Sequence, residues 1–483
     1  MIFFVSTSIN LFPSFQHISV EESIQLIRKE QYVEYDCETI KSPKINGASA
    51  LDPHTGLLLL AQFGVGENQI VVDAATVRIE EYKEVFEDSK ITFVGHNLIF
   101  DVQWLLKHGI KPSKVYDTMI TEQLLHLGED NKKNPLFGNI DPLLEIDSSK
   151  IWTEEEYDMY MYTLDHKFAL KSLIWKYEHV NIDKSVRGEI ANEGLTERVI
   201  KYAAGDVTFL NRIRLKQAKL IATEGLETAL KIENASIVPL AYLSFCGAKI
   251  DQQKWLKKSE VEAPKIKALE EIVYKDIIDF YEQHKAPDDK GKPCVYRNFI
   301  IEGKDEVKRE HRICADNDIP INAERNQDIF ADKIVYSWIV PYGYYDIKHT
   351  FIPYVKRDLQ GDLFSGFNTE LQANINLKST TQLIPLLTIF GVKCRTIDKK
   401  TKEEKDSFGK NTIALFADKF PIVKHLGDYK QLCKQLDAFG PKFLTGINPV
   451  THCIHPQWHQ LGTKTGRLSS SGPINLGLII VIL

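Results

Sequence analysis

Residues 30–225 predict an α/β domain, because segments with strand-like and helix-like patterns alternate along them. Three segments carry this prediction. Residues 32–39 (YVEYDCET) read as a half-buried strand, residues 91–94 (ITFV) as an apolar strand leading into a helix, and residues 200–210 as a helix with a regular apolar stripe. Each segment also carries acidic side chains, so the three together predict a functional site.

The first segment places two carboxylates side by side. Side chains alternate between the two faces of a β-strand, so Asp36 and Glu38 project from one face while Tyr35 and Cys37 project from the other. A lone Asp-x-Glu pair on a strand is most often a solvated face. The pair therefore indicates a functional site only in combination with the other two segments.

The second and third segments each place acidic chemistry on a helix. Asp101 follows a Gly-His-Asn turn and falls in the first turn of the helix after it. Tyr202 and Asp206 are four residues apart, so a helix stacks the phenol and the carboxylate on one face. The residues predicted to pack inward on these two helices are Phe100, Trp104, Leu105 and Ile110, and Ile200, Ala203, Val207 and Leu210.

This set of side chains suits phosphodiester hydrolysis assisted by metal ions. The reaction gains charge on the attacking and the leaving oxygen, and two Mg²⁺ or Mn²⁺ ions about 4 Å apart stabilise both. Hard divalent cations prefer oxygen ligands, which Asp36, Glu38, Asp101 and Asp206 would supply. Tyr202 would orient the attacking water or help to deprotonate it. The residues thus predict a metal-dependent exonuclease site.

The three segments resemble the motifs of the DEDD-class 3′-to-5′ exonucleases, tyrosine subtype, which occur in family A DNA polymerases and in ribonucleases of the RNase D type. The resemblance implies an RNase H-like (DnaQ-like) fold with a mixed five-stranded sheet. It also implies that the four carboxylates bind two Mg²⁺ ions, with Mn²⁺ as a substitute, and that Tyr202 positions the water. By the same resemblance, Thr39, Asn97 and Phe100 would contact the terminal nucleotide.

The segments between these motifs continue the match. Residues 57–73 read as two strands joined by a Gly-containing turn, and residues 116–119 as a strand followed by the start of a helix. Residues 168–185 read as the helix and loop that precede the third motif. Residues 128–158 look like an acidic insertion, whose role the sequence leaves unassigned.

The second half of the chain resembles family A polymerases, whereas an RNase D would be expected to continue into compact helical domains. Residues 233–251 resemble the helix and turn that open the polymerase domain, residues 367–392 a later helical segment, and residues 454–473 the segment between thumb and palm. The last segment implies contacts to the backbone of a primer-template duplex without reading its sequence. The residues implied are Lys464, Thr465, Arg467, Ser469 and Ser470.

Four regions follow from these resemblances: a lead-in (1–29), the exonuclease domain (30–225), thumb-like helices with an insertion (226–366), and the thumb with the beginning of the palm (367–483). We expect the polymerase part to be largely helical. The aromatic stretch 336–354 either stacks bases or packs within an inserted subdomain, and the second interpretation is favoured.

The resemblance implies removal of nucleotides from DNA 3′ ends, as proofreading in replication or repair. The single-stranded end would occupy the exonuclease site and the primer-template duplex the thumb. Counterparts of the palm aspartates and the fingers lysine are missing before Leu483, so we expect no polymerisation by this chain alone and consider a separate palm and fingers chain as a partner. Two alternatives stay open: an RNase D-like exoribonuclease, and a non-catalytic DNA-binding portion of a split polymerase.

Composition and charge are those of an ordinary globular protein, with 43% hydrophobic and 26% charged residues among 483. A net charge of −6 gives no bulk attraction to nucleic acid, so binding would depend on local basic surface such as residues 249–312, which also carry many acids. Seven cysteines lack any Cys-x-x-Cys pair, and we find neither a signal peptide nor an apolar run of transmembrane length. These features predict a cytoplasmic protein of a bacterial or phage-infected cell, without a membrane partner.

Overall fold

Contacts within the chain divide the computed structural model into two compact units. One comprises Met1–Ile250 with the described residues from Gly446 onward, and the other comprises Asp251–Thr445. Among the described residues, no helix combines the length and the apolar composition needed to cross a membrane. The residues described are 1–8, 12–128, 153–183, 185–188, 190, 194–284, 286–287, 293–300, 323–330, 333–346, 348, 350–360, 368–397 and 404–471.

A mixed sheet of seven strands organises the first unit, in the order β2-β1-β5-β4-β3-β6-β7. Strand β4 runs antiparallel to β3 and β5, while β3, β6 and β7 are parallel to one another. The strands are β1 (Ile2–Val5), β2 (Gln16–His17), β3 (Tyr32–Lys41), β4 (Gly56–Val65), β5 (Asn68–Asp73), β6 (Thr92–Gly95) and β7 (Val115–Asp117). The five strands from β3 to β7 form the mixed sheet that the sequence predicted.

Two further strands come from the segment that the sequence assigned to a lead-in. Strand β1 pairs in parallel with β5, so that Phe4 lies opposite Val71. The reason is apolar burial, because Phe4 and Val5 are 0% and 2% exposed within the sheet. The sheet therefore has seven strands instead of five, and β2 forms its edge beside β1.

Helices cover both faces of this sheet, as in a three-layer α/β domain. Alternate residues of β5 show the two cores, since Ile70 and Val72 join one apolar cluster and Val71 joins the other. The inward stripe predicted around residue 203 is confirmed, with all four residues at most 1% exposed. The helices are α1 (Val20–Ile27), α2 (Lys83–Phe86), α3 (Leu98–Lys107), α4 (Thr118–Leu125), α5 (Glu154–Asp165), α6 (Leu170–Glu178), α7 (Glu197–Val207), α8 (Leu210–Glu224) and α9 (Glu227–Cys246).

Residues 226–250 and 446–471 pack with the sheet domain, whereas the sequence grouped them with thumb and palm. Helix α9 buries Ile237 and Ala241 in the same core as α3, and Trp458 packs against that core. Strand β8 (Ala248–Lys249) pairs with a short strand of the C-terminal segment. The apolar face of α9 explains this placement, because packing against the sheet domain buries that face away from water.

The second unit combines long helices with β-strands. Helix α10 (Gln252–His284) packs along a helix near the end of this unit, and the Tyr342 hydroxyl donates a hydrogen bond to the Ile277 carbonyl at 2.8 Å. The helical region expected after the sheet domain is present, and β-strands lie between this long helix and the helices that follow. The strands between them are β9 (Ala286–Pro287), β10 (Pro293–Ile300), β11 (Glu324–Phe330), β12 (Lys333–Pro341), β13 (Gly343–Tyr345), β14 (Phe351–Pro353), β15 (Val355–Gln360) and β16 (Asn368–Ala373).

The aromatic stretch of this unit packs inward. Tyr336, Trp338, Tyr342 and Tyr354 are at most 3% exposed, so their rings are not available for stacking on bases. Burial confirms the interpretation of a self-packing subdomain. The remaining elements of the chain are α11 (Thr380–Ile389), β17 (Arg395–Ile397), β18 (Glu404–Asp406), α12 (Lys410–Phe416), α13 (Pro421–Phe439), β19 (Cys453–Ile454), β20 (Gln457–His459), β21 (Ser469–Ser471), and short 3₁₀ helices at Ile79–Tyr82, Ser185–Gly188 and Pro441–Gly446.

A buried ion pair ties α4, α6 and α8 together beside the sheet. Glu122 is 1% exposed, and its carboxylate accepts hydrogen bonds from Lys176 Nζ, from Tyr177 Oη at 2.7 Å and from Gln217 Nε2 at 2.8 Å. Burial alone would raise the pKa of Glu122, but the hydrogen bond from His126 and the charge of Lys176 lower it to about 2. The network links three helices through one charge.

We expect Glu122→Gln to lower the free energy of unfolding by about 3 kcal/mol at pH 7, because it leaves the Lys176 ammonium largely buried without its counter-charge. Calorimetric unfolding measures this loss. Since folding lowers the pKa of Glu122, the pair stabilises the fold above pH 4.5, and this contribution is lost as the pH falls toward 2. The variant and the wild type should therefore converge in that range.

The matched control is Glu84→Gln, which removes the exposed pair with Arg28, whose side chains are 86% and 47% exposed. It should cost less than about 1 kcal/mol. Equal losses for the two variants at pH 7 would contradict the assigned role of Glu122.

Candidate functional site

Strand β3 presents Asp36 and Glu38 on the face predicted from the sequence. On its other face, Tyr35 and Cys37 are 1% and 6% exposed and lie in the apolar core, where the Tyr35 ring is 5.4 Å from that of Phe63. The pairing of β3 with β4 shifts register just after Glu38, which is the type of irregularity that re-aims side chains. Packing of one face thus fixes the direction of both carboxylates.

Asp101 reaches β3 from the first turn of α3. Its Oδ1 accepts a hydrogen bond from the Cys37 backbone N–H at 3.1 Å, and the residue is 2% exposed. Burial raises the pKa of Asp101 to about 7. Gly95 permits this close approach of helix and strand, since a Cβ there would lie 2.2 Å from the Leu98 side chain and 2.9 Å from the Tyr35 carbonyl.

A second buried carboxylate, Asp117, shapes the turn before α3. It is 0% exposed and accepts four backbone N–H groups: those of Asn97 at 3.1 Å, Leu98 at 2.6 Å, Met119 at 2.8 Å and Ile120 at 3.1 Å. One side chain therefore caps the starts of both α3 and α4. It also holds Asn97 at φ 64°, a left-handed conformation that asparagine tolerates better than most residues.

Helix α7 brings Tyr202 and Asp206 to the same place as the β3 carboxylates. Tyr202 and Asp206 are 9% and 6% exposed on one face, while Ile200 and Ala203 fill the core on the other. Carboxylate oxygens of Asp36, Glu38 and Asp206 all lie within 4.8 Å of one another. Within the described part of the chain, this is the group of His, Cys, Asp and Glu side chains close enough to share a cation.

These side chains line an open cavity of about 900 Å³. Seven predicted site residues line it: Asp36, Glu38, Asn97, Phe100, Asp101, Tyr202 and Asp206. Asp101 thus shares the cavity without belonging to the closest group of three. Phe100, predicted to pack inward, is partly buried: it packs against the core and also lines the cavity.

The cavity also includes residues that sequence reasoning missed. Most come from the end of α5 and the start of α6, and one comes from β20. Lys171 Nζ lies 5.2 Å from the centre of the Tyr162 ring there, so basic and aromatic groups accompany the acids. The sequence predicts a helix and a loop over residues 168–185, but helical spacing alone does not say which cavity such a helix lines. The missed residues are Cys37, Leu51, His96, Met119, Tyr162, Asp165, His166, Lys167, Phe168, Ala169, Leu170, Lys171 and Gln457.

The other predicted nucleic-acid contacts lie outside the cavity. Thr39 Oγ1 donates to the Ala50 carbonyl at 2.6 Å, and Thr39 is not among the lining residues. Lys464, Thr465 and Arg467 are exposed in the turn between β20 and β21. The two predicted serines are less accessible, since Ser469 is partly buried and Ser470 is 7% exposed within β21.

Two parts of the chain are similar to known protein families. Residues 14–222 match the family described as 3′-5′ exonuclease, and residues 362–481 match DNA polymerase family A. A DNA polymerase I of Aquifex aeolicus (strain VF5) is 27% identical over 240 residues, which span 47% of this chain and 35% of that protein. The match therefore spans about a third of that curated relative.

Two solved structures are similar to part of this chain. The catalytic core of RRP6 from Trypanosoma brucei has a TM-score of 0.35 and 17% identity, and the match covers 49% of this chain and 52% of that one. Brucella melitensis NrnC with bound Mg²⁺ has a TM-score of 0.33 and 19% identity, covering 50% of this chain and 92% of that one.

We expect Asp117→Ala to lower the free energy of unfolding by about 4 kcal/mol, since four backbone N–H groups lose their acceptor and each such bond contributes about 1 kcal/mol. Calorimetric unfolding measures the loss. Amide hydrogen exchange should accelerate at Asn97 and Leu98.

Thr153→Ala serves as control, because Thr153 caps only α5, by accepting the Glu156 N–H at 3.2 Å. It should cost about 1 kcal/mol. A loss for Asp117→Ala no greater than for Thr153→Ala would show that the double cap does not exist.

Proposed function

We propose that the region matching the family described as 3′-5′ exonuclease, residues 14–222, removes nucleotides from the single-stranded 3′ end of DNA by metal-assisted hydrolysis, while residues 362–481 match DNA polymerase family A. The observation that carries this proposal is the convergence of Asp36, Glu38 and Asp206 within 4.8 Å in an open cavity. The preference for DNA rests on the polymerase segment that accompanies the nuclease domain. In this proposal the reaction serves proofreading during replication or repair.

The residues of the cavity fit hard divalent cations. All the candidate ligands are carboxylates, whose oxygens are the donors preferred by Mg²⁺ and Mn²⁺. Carboxylates this close repel one another, and a cation bound among them would offset this electrostatic repulsion. Two bound ions, with Asp101 as the fourth ligand, would stabilise the charge that develops on the attacking and the leaving oxygen.

The chain's own residues orient the reactants around that centre. Tyr202 stands one helical turn before Asp206, where its hydroxyl can hold the attacking water. Asn97, fixed by Asp117, presents its amide to the terminal nucleotide, and the Phe100 ring offers a surface on which a base can stack. Exposed Lys464 and Arg467 would bind backbone phosphates of a primer-template duplex.

Replacing Asp36 and Glu38 together by alanine should reduce hydrolysis of 5′-labelled single-stranded DNA in Mg²⁺ by about a thousandfold or more. Metal ions contribute several kcal/mol to such reactions, and each 1.4 kcal/mol is a factor of ten. Single-turnover cleavage on gels measures the rate. The control, Glu81→Ala with Glu84→Ala, removes two exposed carboxylates and should leave the rate unchanged.

The same assay tests the substrate and the metal. Chelation by EDTA should stop cleavage, and added Mg²⁺ or Mn²⁺ should restore it. RNA of the same sequence should be cleaved more slowly than DNA. Unchanged cleavage by the double alanine variant would refute the metal site, while faster cleavage of RNA would favour an exoribonuclease.

We expect Tyr202→Phe to lower kcat by about 10- to 100-fold with little change in KM, because it removes the hydroxyl that holds the water and keeps the ring. Steady-state kinetics on the same DNA separates the two constants. Tyr157→Phe, which removes the hydroxyl of an exposed tyrosine on α5, should change neither constant. A rise in KM at constant kcat would assign Tyr202 to substrate binding instead.

A further inference from the structure

One residue of the exonuclease cavity comes from the distant C-terminal part of the chain. Gln457 lies within the region matched to DNA polymerase family A, yet it lines the cavity with Asp36, Glu38, Asp101 and Asp206. The sequence assigned this region to contacts with a duplex. The structure therefore gives the cavity a component that does not belong to the exonuclease match.

The alternation of strand β20 points Gln457 outward. Trp458 packs against the core that contains α3 and α9, so its neighbours Gln457 and His459 face away from that core and are exposed. One residue further, Gln460 is 2% exposed, and its Nε2 donates to the Glu233 carbonyl at 2.8 Å and to Glu233 Oε2 at 2.7 Å. The chain is thus anchored to α9 three residues after Gln457.

A second set of contacts anchors the chain before Gln457. Asn448 Nδ2 donates to Asp52 Oδ2 at 2.7 Å, and His455 Nδ1 is 2.9 Å from the Ser244 carbonyl. The His455 ring lies 4.4 Å from the ring of His54. The chain is held to the sheet domain on both sides of Gln457, so this residue has a fixed place at the cavity.

We propose that Gln457 binds the single-stranded 3′ end of the nucleic acid in the exonuclease cavity, an inference that rests on the proposed function of that cavity. The Gln457 amide carries two N–H donors and a carbonyl acceptor, which suit phosphate oxygens and base edges alike. It is neutral, so it can contact the strand without the repulsion that a carboxylate exerts on phosphates. Its contribution is to binding, since the carboxylates and Tyr202 supply the reacting groups.

The test compares Gln457→Ala and Gln457→Glu in the full chain with a short 5′-labelled oligothymidylate as substrate. Loss of a neutral hydrogen bond should raise KM by about fivefold and leave kcat within about twofold of the wild type. The glutamate variant should raise KM further, and added salt should reduce this extra effect by screening the charge. Gln25→Ala and Gln25→Glu are the matched controls, because Gln25 is exposed on α1 and does not line the cavity.

Binding provides a readout that does not require cleavage. In the Asp36→Ala, Glu38→Ala background, fluorescence anisotropy with the same oligonucleotide should show about fivefold weaker binding for Gln457→Ala. Calorimetric unfolding of each variant shows whether the fold is kept. Gln457→Glu replaces one side chain by another of the same size and so guards against a folding defect in the alanine variant.

The outcomes separate this inference from the proposed function. If the wild type cleaves DNA and both Gln457 variants keep its KM and Kd, the inference is wrong and the nuclease assignment stands. If the wild type binds the oligonucleotide without cleaving it, the nuclease assignment fails and the Kd values still decide the role of Gln457. If the wild type neither binds nor cleaves, both are wrong.

Discussion

The acceptor capacity of one buried carboxylate, Asp117, underlies the geometry of the candidate site. A carboxylate taken out of water is costly unless hydrogen bonds replace its hydration, and here four backbone N–H groups do so. Those donors belong to the starts of α3 and α4, so satisfying the charge also sets where both helices begin. The position of α3 then brings Asp101 to the Cys37 N–H, and β3 carries Asp36 and Glu38 on either side of Cys37. The backbone N–H of Asp117 itself donates to Asn234 on α9 at 3.1 Å, which extends the same constraint to a third helix.

The apolar core supplies the rigidity that close carboxylates require. Asp36, Glu38 and Asp206 lie within 4.8 Å of one another, an arrangement that mutual repulsion would spread apart on a mobile backbone. Strand β3 cannot yield easily, because the Tyr35 ring meets those of Phe63 and Phe86 at 5.4 and 5.0 Å on its opposite face. Helix α7 is held in the same way by a stripe of fully buried aliphatic residues. Close packing on one side of each element therefore maintains an electrostatically unfavourable arrangement on the other.

The features of this site that the sequence predicted depend only on local secondary structure. Side chains alternate along β3, which places Asp36 and Cys37 on opposite faces. The helical repeat of 3.6 residues places Tyr202 and Asp206 on one face of α7, and neither result depends on distant parts of the chain. The double cap by Asp117 was missed because it joins residues about 20 positions apart, and an aspartate before a helix signals only its own helix. Gln457 was missed for the same reason, because it is separated from the other cavity residues by an even longer stretch of sequence. The two extra strands were missed because IFFV at the start of the chain has no partner within its own neighbourhood, and only pairing with β5 makes it a strand.

The hairpin formed by β20 and β21 connects two surfaces that the sequence treated separately. Its first strand places Gln457 at the cavity, and the turn that follows exposes Lys464 and Arg467. Trp458 and Gln460 fix that first strand to the sheet domain, so the basic turn is attached to the same body as the acidic cavity. A nucleic acid carries negative phosphates along its whole length, and the carboxylates of the cavity repel them. Only the end of the strand would enter the cavity, where metal ions would offset this repulsion. A basic turn on the same hairpin would hold the adjoining phosphates, so that attraction outside the cavity offsets the repulsion within it.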